Sequence, residues 1–379
     1  MLARIRATGA PVLLLDTGNV AVDEYQAGTI AAIMRRQAYD AVGIGPLDLP
    51  ERARFAETLR LHELLPLSVP AGKPPLAPPA WRPVERGGIM VGVATAGFAD
   101  DPAAPAYRRE LRAVLQQARQ QAQAVVLMSH LGRPADEALL GEGGLSEFVD
   151  VLIGGQDTWF AEAPKSVGGT LLVSGTRKGR QIGMLRTTLA GTRPAFEPQM
   201  LELRLTLAED PETKAAVEEY FAQRAALLLQ EAQSAPARPD PGTPALPEVY
   251  SPEEAAAIRA RGYLTAPECG RCHTAQQEQW ATTTHAQALQ TLVDRRRLAP
   301  ECLQCHDEAR RRGLPYEPER ADQYAVDCAS CHGSGLLHAA NPAANQPVRL
   351  PSEALCSVCH QKEHSKDFDY ATYVPLVTH

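Results

Sequence analysis

Over the first 230 residues, short unbroken apolar runs alternate with stretches of helical periodicity. Residues 11–16, 88–93 and 124–129 predict buried strands, with shorter ones at 151–153, 170–173 and 181–187. Residues 51–65, 107–122 and 212–231 repeat their apolar positions at the helical period. Strands that are apolar throughout need cover on both faces, so the pattern predicts an α/β domain around a buried sheet. From Gln233 to Pro247 the composition changes to proline, alanine and small polar residues. Such a run lacks backbone donors and favours extended geometry, which makes a semi-rigid spacer. The predicted organisation is a first domain over 1–232, a linker over 233–250 and a second domain over 251–379. Ser251-Pro252-Glu253-Glu254 supplies an N-cap, a first-turn proline and acidic first-turn residues for a short helix through Arg261. The proline-rich stretch Lys73 to Pro79 predicts a stiff surface loop.

The second domain holds four copies of Cys-x-x-Cys-His, beginning at Cys269, Cys302, Cys328 and Cys356. The second thiols are Cys272, Cys305, Cys331 and Cys359, and the histidines are His273, His306, His332 and His360. This pentapeptide is the attachment signal for c-type haem. Its thiols bond to the haem and its imidazole is the proximal iron ligand. Zinc ribbons also use paired cysteines, but they would leave the four adjacent histidines idle. The chain has 8 cysteines and the four motifs use them all, leaving none for a disulfide framework. The expected cofactor is therefore four covalently bound haem c groups.

A second axial ligand is usually His or Met. The methionines are residues 1, 34, 90, 128, 184 and 200, all outside the haem region. That region has four further histidines, His285, His338, His364 and His379, enough to close four irons. His364 lies in the charged run Lys362 to Asp367 and is the weakest of the four candidates. The domain is too short to bury four porphyrins under side chains, so the porphyrins themselves would form the core of a small, mainly α, loop-rich domain.

The formal net charge of −7 argues against a nucleic-acid partner. Two local basic runs, Arg295 to Arg297 and Arg310 to Arg312, flank the second motif. They read either as solvated helix faces or as partners for haem propionates or an acidic redox protein. Covalent haem attachment is extracytoplasmic chemistry, so a periplasmic or extracellular location is expected. Met1 to Ala7 shows no secretory leader, which predicts a start that is trimmed or not the true one. No run is long enough to span a membrane.

Residues 1–210 resemble the calcineurin-like metallophosphoesterases, specifically their periplasmic 5′-nucleotidase branch. The likeness lies in Leu13 to Asn19, Tyr39 to Gly45, Gly87 to Val93, Val125 to Gly132 and Val149 to Gly155. In that family the strand ends deliver ligands to a two-metal centre that hydrolyses phosphoesters. This chain departs at those positions. The family's Gly-Asp is Gly18-Asn19, its Gly-Asn-His-Glu/Asp is Gly45-Pro46-Leu47-Asp48, and its Gly-Gly-His-Thr-His becomes Gly154-Gly155-Gln156-Asp157-Thr158. Ser129-His130 alone still matches a ligand motif, and scattered Asp16, Asp48 and Asp157 cannot replace the rest. The expectation is a metallophosphoesterase-like sandwich without catalysis. His62 reads as a surface or capping residue.

Residues 265–379 resemble the tetrahaem cytochrome c-554 family. The carriers are Cys269 to His273 followed by Trp280 to Ala286, Cys328 to His338, and Cys356 to His360 followed by Phe368-Asp369-Tyr370 and His379. The resemblance implies that His285, His338 and His379 are distal ligands to haems bound elsewhere in the chain. It implies an electron carrier with redox-protein partners, alone or in a homo- or hetero-oligomer. Three alternatives stay open: an oxidoreductase with one open iron acting on a small nitrogen compound, a nucleotide hydrolase with a redox appendage, against which the lost ligands speak, and a subunit of an electron-conducting complex or filament.

Overall fold

The computed structural model describes residues 1–20, 23–46, 48, 52–61, 64, 66–67, 80–96, 101–155, 164–174, 181–190, 193–204, 206–234, 245–317, 325–361, 365 and 367–379. His62, Lys73 to Pro79, Gln156 to Thr158 and His364 lie outside the described residues. The chain forms two compact units, Met1–Ala216 and Val217–His379.

In the first unit α1 (Leu2–Arg6) precedes β1 (Leu15–Asp16), α2 (Glu24–Arg36), β2 (Ala41–Gly43), α3 (Arg52–Leu61) and β3 (Pro66–Leu67). Strands β1, β2 and β3 form a small parallel sheet in that order. There follow β4 (Trp81–Arg86), β5 (Ile89–Ala96), α4 (Pro105–Gln121), β6 (Ala124–Ser129), α5 (Arg133–Leu140), β7 (Val151–Gly154), β8 (Lys165–Val167) and β9 (Thr170–Ser174). These strands make a second sheet ordered β4-β5-β6-β7-β9-β8, with β5, β6, β7 and β9 parallel. A hairpin, β10 (Gln181–Ala190) and β11 (Arg193–Glu202), completes the strands.

The pattern of the sequence explains the layers. Every residue of β6 is buried, as a central parallel strand requires. On α4 the buried residues are Tyr107, Leu111, Leu115 and Ala118, one face of a helix. They pack with Leu127, Leu140 and Leu152 in one core, while Val93, Val126, Met128 and Val151 face a second. A Cβ on Gly92 would sit 3.1 Å from the Ala118 methyl, so glycine there lets α4 lie close on the sheet. The apolar run at 11–16 yields strand only at its last two residues. The Asp40 carboxylate takes the Leu14 amide, which caps the chain before the strand begins.

One buried carboxyl gives the first unit a pH dependence. Asp136 is 1% exposed and receives the Ser129 hydroxyl at 2.5 Å, while its other oxygen has no partner among the described residues. Burial raises its pKa to about 7. The folded chain holds a proton there that the unfolded chain has released, so stability falls as pH rises from about 4 to about 7. Three pKa units correspond to at most about 4 kcal/mol. Denaturant midpoints measured at pH 5 and pH 8 should therefore converge in Asp136→Asn relative to the parent chain. An unchanged gap would mean that the carboxyl is ionised in the fold.

Helix α6 (Pro211–Ser234) crosses the division between the units. The proline-based reading placed it in the first domain through residue 232 and its last two residues, Gln233 and Ser234, in the linker. From Val217 onward it belongs with the second, because Leu228 is buried among Tyr263, Leu289, Leu303 and Tyr316 there. The second unit continues through α7 (Pro252–Arg261), α8 (Ala266–Gly270), α9 (Thr274–Ala281), α10 (Ala288–Asp294), α11 (Pro300–His306) and α12 (Glu308–Arg311). It ends with α13 (Cys328–His332), α14 (Leu336–Ala340), α15 (Glu353–Cys356) and α16 (Tyr370–Tyr373). The Ser251 cap forms as its sequence predicts: Ser251 Oγ accepts from Glu254 N at 3.2 Å and the Glu254 carboxylate from Ser251 N at 2.8 Å. Gly262, at φ 87°, closes the same helix in the left-handed region.

Candidate functional site

Each Cys-x-x-Cys-His motif is wound as about one helical turn, which brings its two thiols and its imidazole to one side. In the first motif His273 N donates to Cys269 O at 3.0 Å, and in the fourth His360 N donates to Cys356 O at 2.9 Å. The second motif lies in α11 and the third forms α13. Asp327 caps α13, accepting from Ala329 N at 2.9 Å while Ser330 Oγ accepts the Asp327 amide at 3.0 Å.

Three of the spare histidines, His285, His338 and His379, stand opposite motif histidines. Ring centres are 5.9 Å apart for His273 and His338, 6.0 Å for His285 and His360, and 5.6 Å for His332 and His379. Metal–imidazole bonds of about 2 Å put two imidazoles on opposite sides of one iron with ring centres about 6 Å apart. The donor set therefore fits haem. Each of three motifs faces one imidazole contributed from elsewhere in the chain. Among the described residues His306 faces no second imidazole.

The imidazoles are also oriented for ligation. The Nδ1 of His306 bonds Ala288 O at 2.7 Å, that of His338 bonds Asn345 O at 2.8 Å, and that of His332 bonds Val348 O. A carbonyl only accepts, so the proton is on Nδ1 and Nε2 is left as the donor atom for a metal. His360 reaches Ser365 Oγ at 3.2 Å through Nδ1, and the Phe368 ring stacks on it at 4.5 Å.

Thiols from different motifs meet. Cys269 lies beside Cys328, Cys359 beside Cys305, and Cys331 near Cys356. The first motif thus adjoins the third, the third adjoins the fourth, and the fourth adjoins the second.

The arginine run after the second motif is committed to structure. Glu308, 2% exposed, accepts from Arg311 Nε at 2.7 Å, Arg312 Nε at 2.5 Å and Ser330 Oγ at 2.8 Å. Arg312 also donates to Ala329 O at 3.0 Å. This buried knot ties the end of the second motif to the interior of the third. Arg310 pairs with Glu231 at 3.2 Å. Sequence reasoning missed Glu308 and Asp327 as site-building residues. Asp327, directly before a short helix opening at Cys328, was readable as a cap.

The strand-end crevice of the first unit contains Asp16, Asn19, Asp48 and His130. The Asp48 carboxylate accepts the amides of Asn19 at 2.7 Å, Val20 at 2.6 Å and Gly45 at 2.6 Å. His130 Nε2 donates to Thr17 O at 2.6 Å, and its Nδ1 accepts from Asn19 Nδ2 at 3.3 Å. A Cβ on Gly155 would lie 2.5 Å from His130 Cε1 and 2.7 Å from Thr17 Oγ1, so the crevice is closed at that point. Burial and the charge on Asp48 raise the Asp16 pKa to about 6, and burial lowers that of His130. Both ring nitrogens of His130 are engaged by protein, and Asp48 is engaged by backbone amides. This donor set does not fit a two-metal centre. Among the described residues no group of three or more His, Cys, Asp or Glu side chains could hold a metal ion.

Among solved structures, the sulfate thiohydrolase SoxB of Thermus thermophilus is similar, at 22% identity over 62% of this chain and 46% of its own, with a TM-score of 0.49. A putative 5′-nucleotidase of Staphylococcus aureus is similar at 13% identity over 58% of this chain and 47% of its own, with a TM-score of 0.37. The chain spans less than half the length of either. No curated protein sequence matches it. No helix among the described residues is long and apolar enough to cross a membrane. Residues 268–333 match the profile of the family described as cytochrome c554 and c-prime. Over residues 268–333 the chain is thus similar to the cytochrome c554 and c-prime family, and this region is joined to an α/β region.

Proposed function

We propose that this chain carries single electrons between redox proteins outside the cytoplasm, through four haem c groups. The observation that carries the reading is the set of three imidazole pairs, His273–His338, His285–His360 and His332–His379, each spaced so that it would hold one iron. Haem supplies the one-electron couple, and His/His ligation sets it at lower potential than His/Met. The chain's own residues bind, orient and enclose the group. The thiol contacts support a path in the order first, third, fourth and second motif. For the second motif His364 is the proposed distal ligand.

Haem quantification with potentiometric titration tests this reading. It expects four haems per chain and full, reversible single-electron cycling without substrate turnover. Fewer haems, or steady turnover of hydroxylamine or nitrite, would count against it.

The second reading is an oxidoreductase with an open iron at the second motif. A high-spin ferric signal that shifts on adding cyanide would select this alternative.

The α/β region is proposed to be a scaffold or docking surface with phosphoester hydrolysis lost. Its support is the closed network of Thr17, Asn19, Asp48 and His130. Incubating the chain with Mn²⁺ or Zn²⁺ and p-nitrophenyl phosphate should release no phosphate above a metal-only control. Release that disappears in His130→Ala would restore the hydrolase reading.

A further inference from the structure

Within the second unit, helix α6 meets the second Cys-x-x-Cys-His motif along its length. Tyr220 donates its hydroxyl to one Glu301 carboxylate oxygen at 3.2 Å, and Arg224 Nη2 lies 3.8 Å from the other. Glu301 is the residue directly before Cys302. Leu228 is buried in one cluster with Leu303, which lies between the two thiols of that motif. Before the motif, the Arg297 guanidinium lies 4.6 Å above the Phe221 ring, and after it Arg310 pairs with Glu231 at 3.2 Å. Five α6 side chains therefore hold residues before, within and after this motif.

We propose that α6 positions the haem attached at Cys302 and Cys305, and that the Arg224–Glu301 pair sets the charge beside that haem. This rests on the reading that the second motif carries haem. Reduction adds one electron to the iron, so a fixed negative charge nearby disfavours it and a positive one favours it. Glu301 supplies the negative charge one residue from the attachment point. The Arg224 side chain, 12% exposed against 42% for Glu301, offsets it in part. The helix that follows the α/β region is on this account a working part of the cytochrome.

The test uses the full-length haem-loaded chain, with haem counted first and the individual haems followed by spectroelectrochemical titration. Arg224→Gln should lower the midpoint potential of one haem, and Glu301→Gln should raise that of the same haem. The double variant should return toward the parent value, and the other three haems should not move. Tyr220→Phe keeps both charges and should give a smaller downward shift. A purely structural role predicts shifts of the same sign in both single variants, or shifts spread over several haems. Either result overturns the proposal, as does no shift with four haems bound. Fewer than four haems in the parent chain would instead remove the reading on which it rests.

Discussion

Replacing His338 with alanine is expected to convert one haem from low-spin to high-spin and leave the rest unchanged. The His338 ring stands 5.9 Å from that of His273, and its Nδ1 is fixed on Asn345 O, so Nε2 is aimed rather than free to rotate. Alanine removes the only imidazole facing His273 among the described residues and substitutes nothing that can bind iron. His285→Ala should do the same at the fourth motif and His379→Ala at the third. The pairing makes a sharper demand. His338→Ala and His273→Ala must alter the same low-spin signal in the oxidised protein, observed by low-temperature EPR. Two different signals would break the assignment, and so would a variant that keeps every haem low-spin.

The second large effect is on stability. Glu308→Ala should destabilise the second unit by about 3–5 kcal/mol, because two guanidinium groups would lose a buried counter-charge. Arg311 and Arg312 reach Glu308 from the following turn, and Ser330 reaches it from inside the third motif. Losing the carboxylate therefore loosens two haem motifs together. Glu308→Gln keeps the shape and the Ser330 contact, so it should cost less than alanine. Denaturant unfolding followed at the Soret band measures both. A cost below about 1 kcal/mol, the level of an exposed pair, would mean that water reaches the knot.

What the sequence disclosed follows from how local each signal is. Cys-x-x-Cys-His is contained within one helical turn, so all four copies of the motif were legible from spacing alone. The central strands β5, β6 and β7 were legible because parallel strands buried on both faces are apolar without interruption. The same criterion overran at residues 11–16, where Asp40, a residue distant in sequence, takes the amide of Leu14. The edge strand β4 carries Arg82, Glu85 and Arg86, and its polar outer positions conceal it from a search for apolar runs. Partners across space were not legible. Nothing in the sequence joins His285 to His360, which lie 75 positions apart, until the fold brings their rings to 6.0 Å. Proline composition suggested a boundary at residues 233–250, whereas the compact units divide between Ala216 and Val217, inside α6. Helical periodicity shows that a face will be buried and not which unit buries it. Arg310 to Arg312 looked like a surface because charge runs usually are one. A single buried glutamate turned two of them inward.

The measurement that bears most directly on the central claim is low-temperature EPR of the oxidised full-length protein, with iron and haem quantified in the same sample. The account predicts four haems per chain, all low-spin, with three assigned to the His273–His338, His285–His360 and His332–His379 pairs and the fourth closed by His364. Fewer than four haems, or fewer than three low-spin signals, would contradict the tetrahaem carrier.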